Sequence, residues 1–126
     1  MTAAGRIRLL TFAEHDADGE PRVLRLANDE DPLALKEEID GVARIELEFP
    51  DFTDGRAYSQ AYLLRRRLGF TGDLRATGDV LVDQLIQMER TGFSSAVMKD
   101  GVDAVEARRY LDLFPAFYQR DLVRWG

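Results

Sequence analysis

The stretch 43–70, ARIELEFPDFTDGRAYSQAYLLRRRLGF, changes period halfway along. Ile45, Leu47 and Phe49 alternate with Arg44, Glu46 and Glu48, the two-residue repeat of a strand with one apolar and one wet face, and Pro50 ends it. After the loop DFTDGR, Ala57, Ala61, Leu64 and Leu68 recur at steps of four, three and four, the stripe of an amphipathic helix closed by Gly69. The same order then repeats twice. GDLRATG predicts a second strand and DVLVDQLIQMERTG a second helix, with Leu81, Leu85 and Met88 at helical spacing, Asp79 as N-cap and Gly92 past the end. FSSAVMKDG predicts a third strand and VDAVEARRYLDLF a third helix, opened by Asp103 and Glu106 at capping-box spacing and stopped by Pro115.

Toward the amino terminus, the apolar runs 7–12 and 23–26 flank HDADGEP, whose Asp18-Gly19 pair is a turn signal. These predict a β-hairpin with His15 in its solvated turn. NDEDPLALKEEIDG predicts a short helix, with Asp31 as N-cap and Pro32 at the first helical position, ending at Gly41. The expected fold class is α/β: three consecutive βα units with a small, mainly parallel sheet and right-handed crossovers, preceded by an N-terminal β-hairpin. The organisation is one domain, 1–126, with the hairpin and short helix in 1–41, a βαβαβα core in 42–114 and an aromatic tail in 115–126. A parallel sheet is normally covered on both faces, so Glu46 and Glu48 place the first strand of the core at an edge or against a neighbouring subunit. In the tail, Phe117, Tyr118 and Trp125 either pack back onto the domain or make a homodimer or partner contact.

A chain of 126 residues that is 45% hydrophobic can build one core, and no apolar run approaches the ~20 residues that cross a bilayer. The expectation is a cytoplasmic protein without a signal peptide. A formal charge of -6 repels nucleic-acid backbones, and Arg65-Arg66-Arg67 is too short a basic run to reverse that. Zero cysteines exclude disulfides, thiolate metal sites and cysteine nucleophiles, and a single histidine speaks against a histidine-rich metal site or a Ser-His-Asp triad. Glycine-rich dinucleotide and phosphate loops, HExxH and paired CxxC are all missing, so neither a metal nor a tightly held cofactor is expected.

In parallel α/β folds the loops leaving the carboxyl ends of the strands share one side, where ligands bind. Arg56, Arg75 and Lys99 are therefore candidates to hold an oxyanion, since guanidinium forks and helix amino termini both favour negative charge. Asp54 and Asp79 are candidate catalytic acid-base groups, with Tyr58, Ser59, Asp83 and Gln84 in support. Each has a structural competitor. Asp79 and Asp54 fit helix caps, Gly55 fits a turn, Arg75 fits a loop-joining pair with a nearby aspartate, and of Asp83 and Gln84 one fits solvent exposure and the other a hydrogen bond to the neighbouring loop.

The run from FPDFTDGRAYSQAYLLRRRLGF through GDLRATGDVLVDQLIQMERTGF resembles a bacterial domain family of unknown function, labelled an oxidoreductase involved in sulfite reduction. The combination of DGR, YS, LR, RATGD and DQ carries the resemblance, at Asp54, Gly55, Arg56, Ser59, Arg65, Arg75, Gly78, Asp83, Gln84 and Arg90. Genes of that family often stand beside the gene for the sulfite reductase haemoprotein subunit. The resemblance thus implies an accessory role in assimilatory sulfite reduction, through binding to the reductase or its electron donor. The family often has cysteine where this chain has Thr91, a departure that argues against essential thiol chemistry. The alternative is a small enzyme acting on an anionic substrate at the carboxyl-end loops.

Overall fold

A computed structural model describes residues 6–19 and 22–114. In chain order they form β1 (Arg8–Leu10), α1 (Phe12–Ala17), β2 (Val23–Leu26), a 3-10 turn (Pro32–Leu35), β3 (Arg44–Phe49), α2 (Arg56–Tyr62) running on into a π-helical turn (Leu63–Arg67), and β4 (Asp73–Gly78). A 3-10 turn (Val82–Gln84), α3 (Leu85–Thr91), β5 (Ser95–Val97) and α4 (Ala104–Leu111) complete them. The five strands make one sheet in the order β1-β5-β4-β3-β2, and every pair is parallel. The three βα units and their parallel sheet are as the sequence predicts.

The amino-terminal hairpin is not formed: β1 and β2 lie on opposite edges of the sheet. Long-range hydrogen bonds hold β1 against β5. The Ile7 amide donates to the buried Glu89 carboxylate of α3 at 2.7 Å, Arg6 pairs with that carboxylate at 3.1 Å, and Arg6 also donates to Leu111 O at the end of α4. The Asp18-Gly19 turn signal is local; these contacts bridge more than eighty residues and outweigh it.

The reversal of direction also sets the layers. From β2 to β5 the chain steps steadily toward one edge, and right-handed crossovers put the intervening elements on one face. There Ile45, Leu47, Phe49, Leu74 and Ala76 form the core with Ala57, Ala61 and Leu64 of α2 and its π turn, Leu85 and Met88 of α3, and Ala107 and Leu111 of α4. The connection from β1 to β2 runs the other way, so α1 crosses the second face. It spans four strand spacings, roughly 19 Å. A six-residue helix advances about 9 Å and the flanking extended residues supply the rest.

That second face is polar, and buried. The expectation of a wet face on an edge strand fails for β3, which lies between β2 and β4 with Arg44 only 4% and Glu46 only 5% exposed. Register aligns Arg8, Ser95, Arg75, Glu46 and Arg25 in one row across all five strands. The period-two pattern identifies a strand; it cannot say that the charged side meets other charges instead of water.

The long helix predicted after β3 carries a π turn, in which Leu68 N donates to Leu63 O. Its register change turns Arg65 inward, where the guanidinium donates to Gly92 O, Phe70 O and Gly72 O at 2.8–2.9 Å. Burial holds the Arg65 pKa down at about 10. Gly92, the left-handed cap of α3 at φ 116°, leaves the space this side chain fills, since a Cβ there would stand 2.6 Å from Arg65 Cγ. Arg65→Met removes the donors but keeps much of the apolar stem. Urea unfolding should show a loss of about 2–4 kcal/mol for the unsatisfied carbonyls, against a change under ~0.5 kcal/mol if Arg65 were a surface residue.

Candidate functional site

Parallel sheets bind ligands where the connections of two neighbouring strands leave toward opposite faces. Here that point lies between β1, whose chain continues into α1 on the polar face, and β5, whose chain continues into α4 on the core face. A cleft of about 480 Å³ opens at their carboxyl ends, lined by Phe12 after β1, Lys99 and Asp100 after β5, Asp79 after β4, and Glu48 near the end of β3.

Close approach of backbones builds the wall of this cleft. Gly78 ends β4 at φ 91°, and a Cβ would sit 2.4 Å from Phe49 O, so only glycine lets the Asp79 amide donate to that carbonyl at 2.7 Å. Asp79 then accepts from Lys99 Nζ at 2.6 Å and from the Phe52 amide at 2.9 Å. Both partners stabilise the carboxylate and lower its pKa, the Lys99 hydrogen bond foremost. Asp79 is thus not a helix cap: Leu81 precedes the 3-10 turn that opens α3, and Asp79 instead ties the loops after β3, β4 and β5 together.

A second cluster also lies past the carboxyl ends of the strands, but toward the β2 edge, at the start of α2. Asp54 accepts from Arg56 Nη2 at 2.8 Å, from the Arg56 amide at 3.1 Å and from Asn28 Nδ2 at 2.5 Å. Hydrogen bonds from Arg56 bring the Asp54 pKa down to about 2. Gly55 adopts φ -90°, which any residue can, so the turn does not require glycine there. Ser59 and Asp83 face solvent. Gln84 Nε2 donates to Phe52 O at 2.8 Å, so of the pair it is Gln84 that makes the loop contact. The Tyr58 ring packs edge-on to Phe49 at 5.0 Å, and its hydroxyl is buried without a hydrogen-bond partner among the described residues, so desolvation raises its pKa to about 12.

The three candidate cations do not converge. Arg56 belongs to the Asp54 cluster and Lys99 to the cleft. Arg75 is in neither, because it lies in mid-strand with its side chain on the polar face, 0% exposed. There its guanidinium donates to Ser95 Oγ at 2.9 Å, Asp18 Oδ2 at 2.9 Å and Asp73 Oδ2 at 3.0 Å. Its Nη1 stands 2.9 Å from His15 Nδ1; arginine only donates, so Nδ1 accepts and the imidazole proton is on Nε2. His15 is therefore a helix residue closing a buried network, not a solvated turn. Arg44 joins it by pairing with Asp18 at 3.0 Å and Glu46 at 2.9 Å. His15, Asp18, Arg44, Glu46, Asp73 and Ser95 had no sequence signal beyond alternation within single strands, since only register assembles them. Phe117, Tyr118 and Trp125 lie outside the described residues.

Residues 23–125 match the model of a family described as bacterial protein of unknown function (DUF934). The chain belongs to this family. No curated protein and no solved structure matches it. The family match starts at β2, so β1 and α1, which bring Phe12 to the cleft and His15 and Asp18 to the polar face, precede the matched span. Among the described residues, no helix is long and apolar enough to cross a membrane, and no group of three or more His, Asp or Glu side chains could hold a metal ion.

The Asp54 cluster predicts its own titration. An NMR titration should place the Asp54 carboxyl at about 2, rising part of the way toward the ordinary value of about 3.9 in Arg56→Ala, which removes the guanidinium but keeps the backbone amide of residue 56 and Asn28 as donors. Because the folded value lies below the unfolded one, the contact stabilises the fold above about pH 4, and that contribution is lost as pH falls toward 2. An Asp54 that titrates normally in the wild type would show that Arg56 is not held against it.

Proposed function

We propose that this protein is an accessory component of assimilatory sulfite reduction that binds the reductase haemoprotein subunit or its electron donor. The resemblance over about residues 49–98 supplies the setting. One observation favours binding over catalysis on a small anion at the carboxyl-end loops: the two candidate cations there already have carboxylate partners, Arg56 with Asp54 and Lys99 with Asp79, and Arg75 lies away from those loops in mid-strand. Glu48, Asp79 and Asp100 surround the single ammonium of Lys99, so the cleft has an acidic lip that repels a small anion.

An acidic lip beside Phe12, which is 44% exposed, suits a basic protein surface with an apolar centre. Charge reversal at the lip tests this. The full chain should co-purify with the haemoprotein subunit or its donor from cells grown on sulfate, and Glu48→Lys with Asp100→Lys should weaken that association at least tenfold, with a steep loss at raised salt. Deletion should slow growth on sulfate and not on cysteine. Equal growth on both would remove the sulfite-reduction reading, whereas a growth defect with an unaffected complex in the double variant would move the contact away from the cleft.

A further inference from the structure

The polar face holds two buried guanidiniums aimed at a single oxygen. Arg44 Nη1 at 3.0 Å and Arg75 Nη2 at 2.9 Å both donate to Asp18 Oδ2. Asp18 comes from the segment 11–19, of which α1 buries no side chain at all. That segment is therefore held on the sheet by polar contacts: Asp18 to the two arginines and His15 to Arg75. A carboxylate bound by two converging guanidiniums has the chemistry of a captured anionic ligand.

We propose that Arg44 and Arg75 form a binding site for a small oxyanion, which the Asp18 carboxylate occupies in the closed state and which the anion takes over when segment 11–19 lifts. Charge permits it. Of the arginines along this row Arg8 and Arg25 are 62% and 72% exposed, so the two buried guanidiniums, Arg44 and Arg75, stand among three carboxylates, Asp18, Asp73 and Glu46. Departure of Asp18 leaves two facing two, with the donors that it had used exposed to a replacement anion. Hydrogen bonding argues for it. Departure of Asp18 and His15 frees Arg44 Nη1, Arg75 Nη1 and the one N–H of Arg75 Nη2 that faces Asp18, three donors for the several oxygens of one sulfate or phosphate. Arg75 Nε stays on Ser95 and Asp73 keeps its bond to Nη2, so the site remains pre-oriented while the segment moves. The proposal stands independently of the reductase contact at the cleft, and neither needs the other.

Hydrogen exchange of the full wild-type chain tests this directly, with sulfate, phosphate or acetate titrated against chloride at matched ionic strength. Amides of residues 12–19 should exchange several-fold faster in a saturable manner with sulfate or phosphate, while β3 and β4 keep their protection; a response to acetate alone would overturn the oxyanion assignment in favour of a carboxylate ligand. No change, or the same change with chloride, would overturn the proposal. Asp18→Asn weakens the internal competitor and should lower the half-saturating sulfate concentration about tenfold, whereas Arg44→Met should abolish the response. An unchanged half-saturation in Asp18→Asn would refute the competition, and if that variant does not fold, the wild-type titration by itself still supports or overturns the site.

Discussion

A guanidinium with no access to water organises one whole side of this protein. A guanidinium has five N–H donors and no acceptor, so the burial of Arg75 demands that nearly every donor find an acceptor. The chain meets the demand with Ser95 and Asp73 from the sheet and with His15 and Asp18 from α1 and its C-cap. The sheet partners are fixed by strand register. The other two must be delivered by the connection that crosses from one edge of the sheet to the other, which gives a short, apolar-poor helix a defined position it could not hold by burial alone.

This arrangement departs from the usual two-sided covering of a parallel sheet by apolar helices. One face follows that rule, with α2, α3 and α4 packed on aliphatic residues of β3, β4 and β5. On the other, ion pairs and hydrogen bonds replace apolar contact. Buried ion pairs contribute less net stability than apolar packing of the same volume, because desolvation offsets most of their attraction. Their strength is specificity: a row of charged and polar side chains across five strands accepts one register and one orientation of α1. The same property makes the segment exchangeable, since a polar lid with a carboxylate key competes with any anion of similar geometry.

The apolar half of this architecture is readable from the chain. Steps of three and four after ARIELEF, the left-handed Gly92 past α3 and the spacing of three βα units lead to the parallel sheet, and they are local patterns. What is not readable is what depends on register and long-range pairing. The hairpin expected around Asp18-Gly19 gives way because Ile7 and Arg6 are claimed by Glu89, a contact with no local trace. GDLRATG reads as a strand, but only its bounds, Asp73 to Gly78, show that Arg75 lies in mid-strand and not at the loop that leaves it, where Asp79, tied to Lys99, stands at the cleft. For the same reason the alternation of Arg44, Glu46 and Glu48 suggests water on all three, where the protein has placed other charges against Arg44 and Glu46 and left only Glu48 exposed.

The dependence of the polar face on Arg75 is open to one direct measurement, the urea unfolding free energy of Arg75→Met. The substitution keeps a buried apolar side chain in place but leaves Asp18 and Asp73 short of their shared cation. The account predicts a loss of about 3–5 kcal/mol, as for other broken buried pairs. A loss below about 1 kcal/mol would contradict it, and would mean that the guanidinium is a passenger in a face held together by something else.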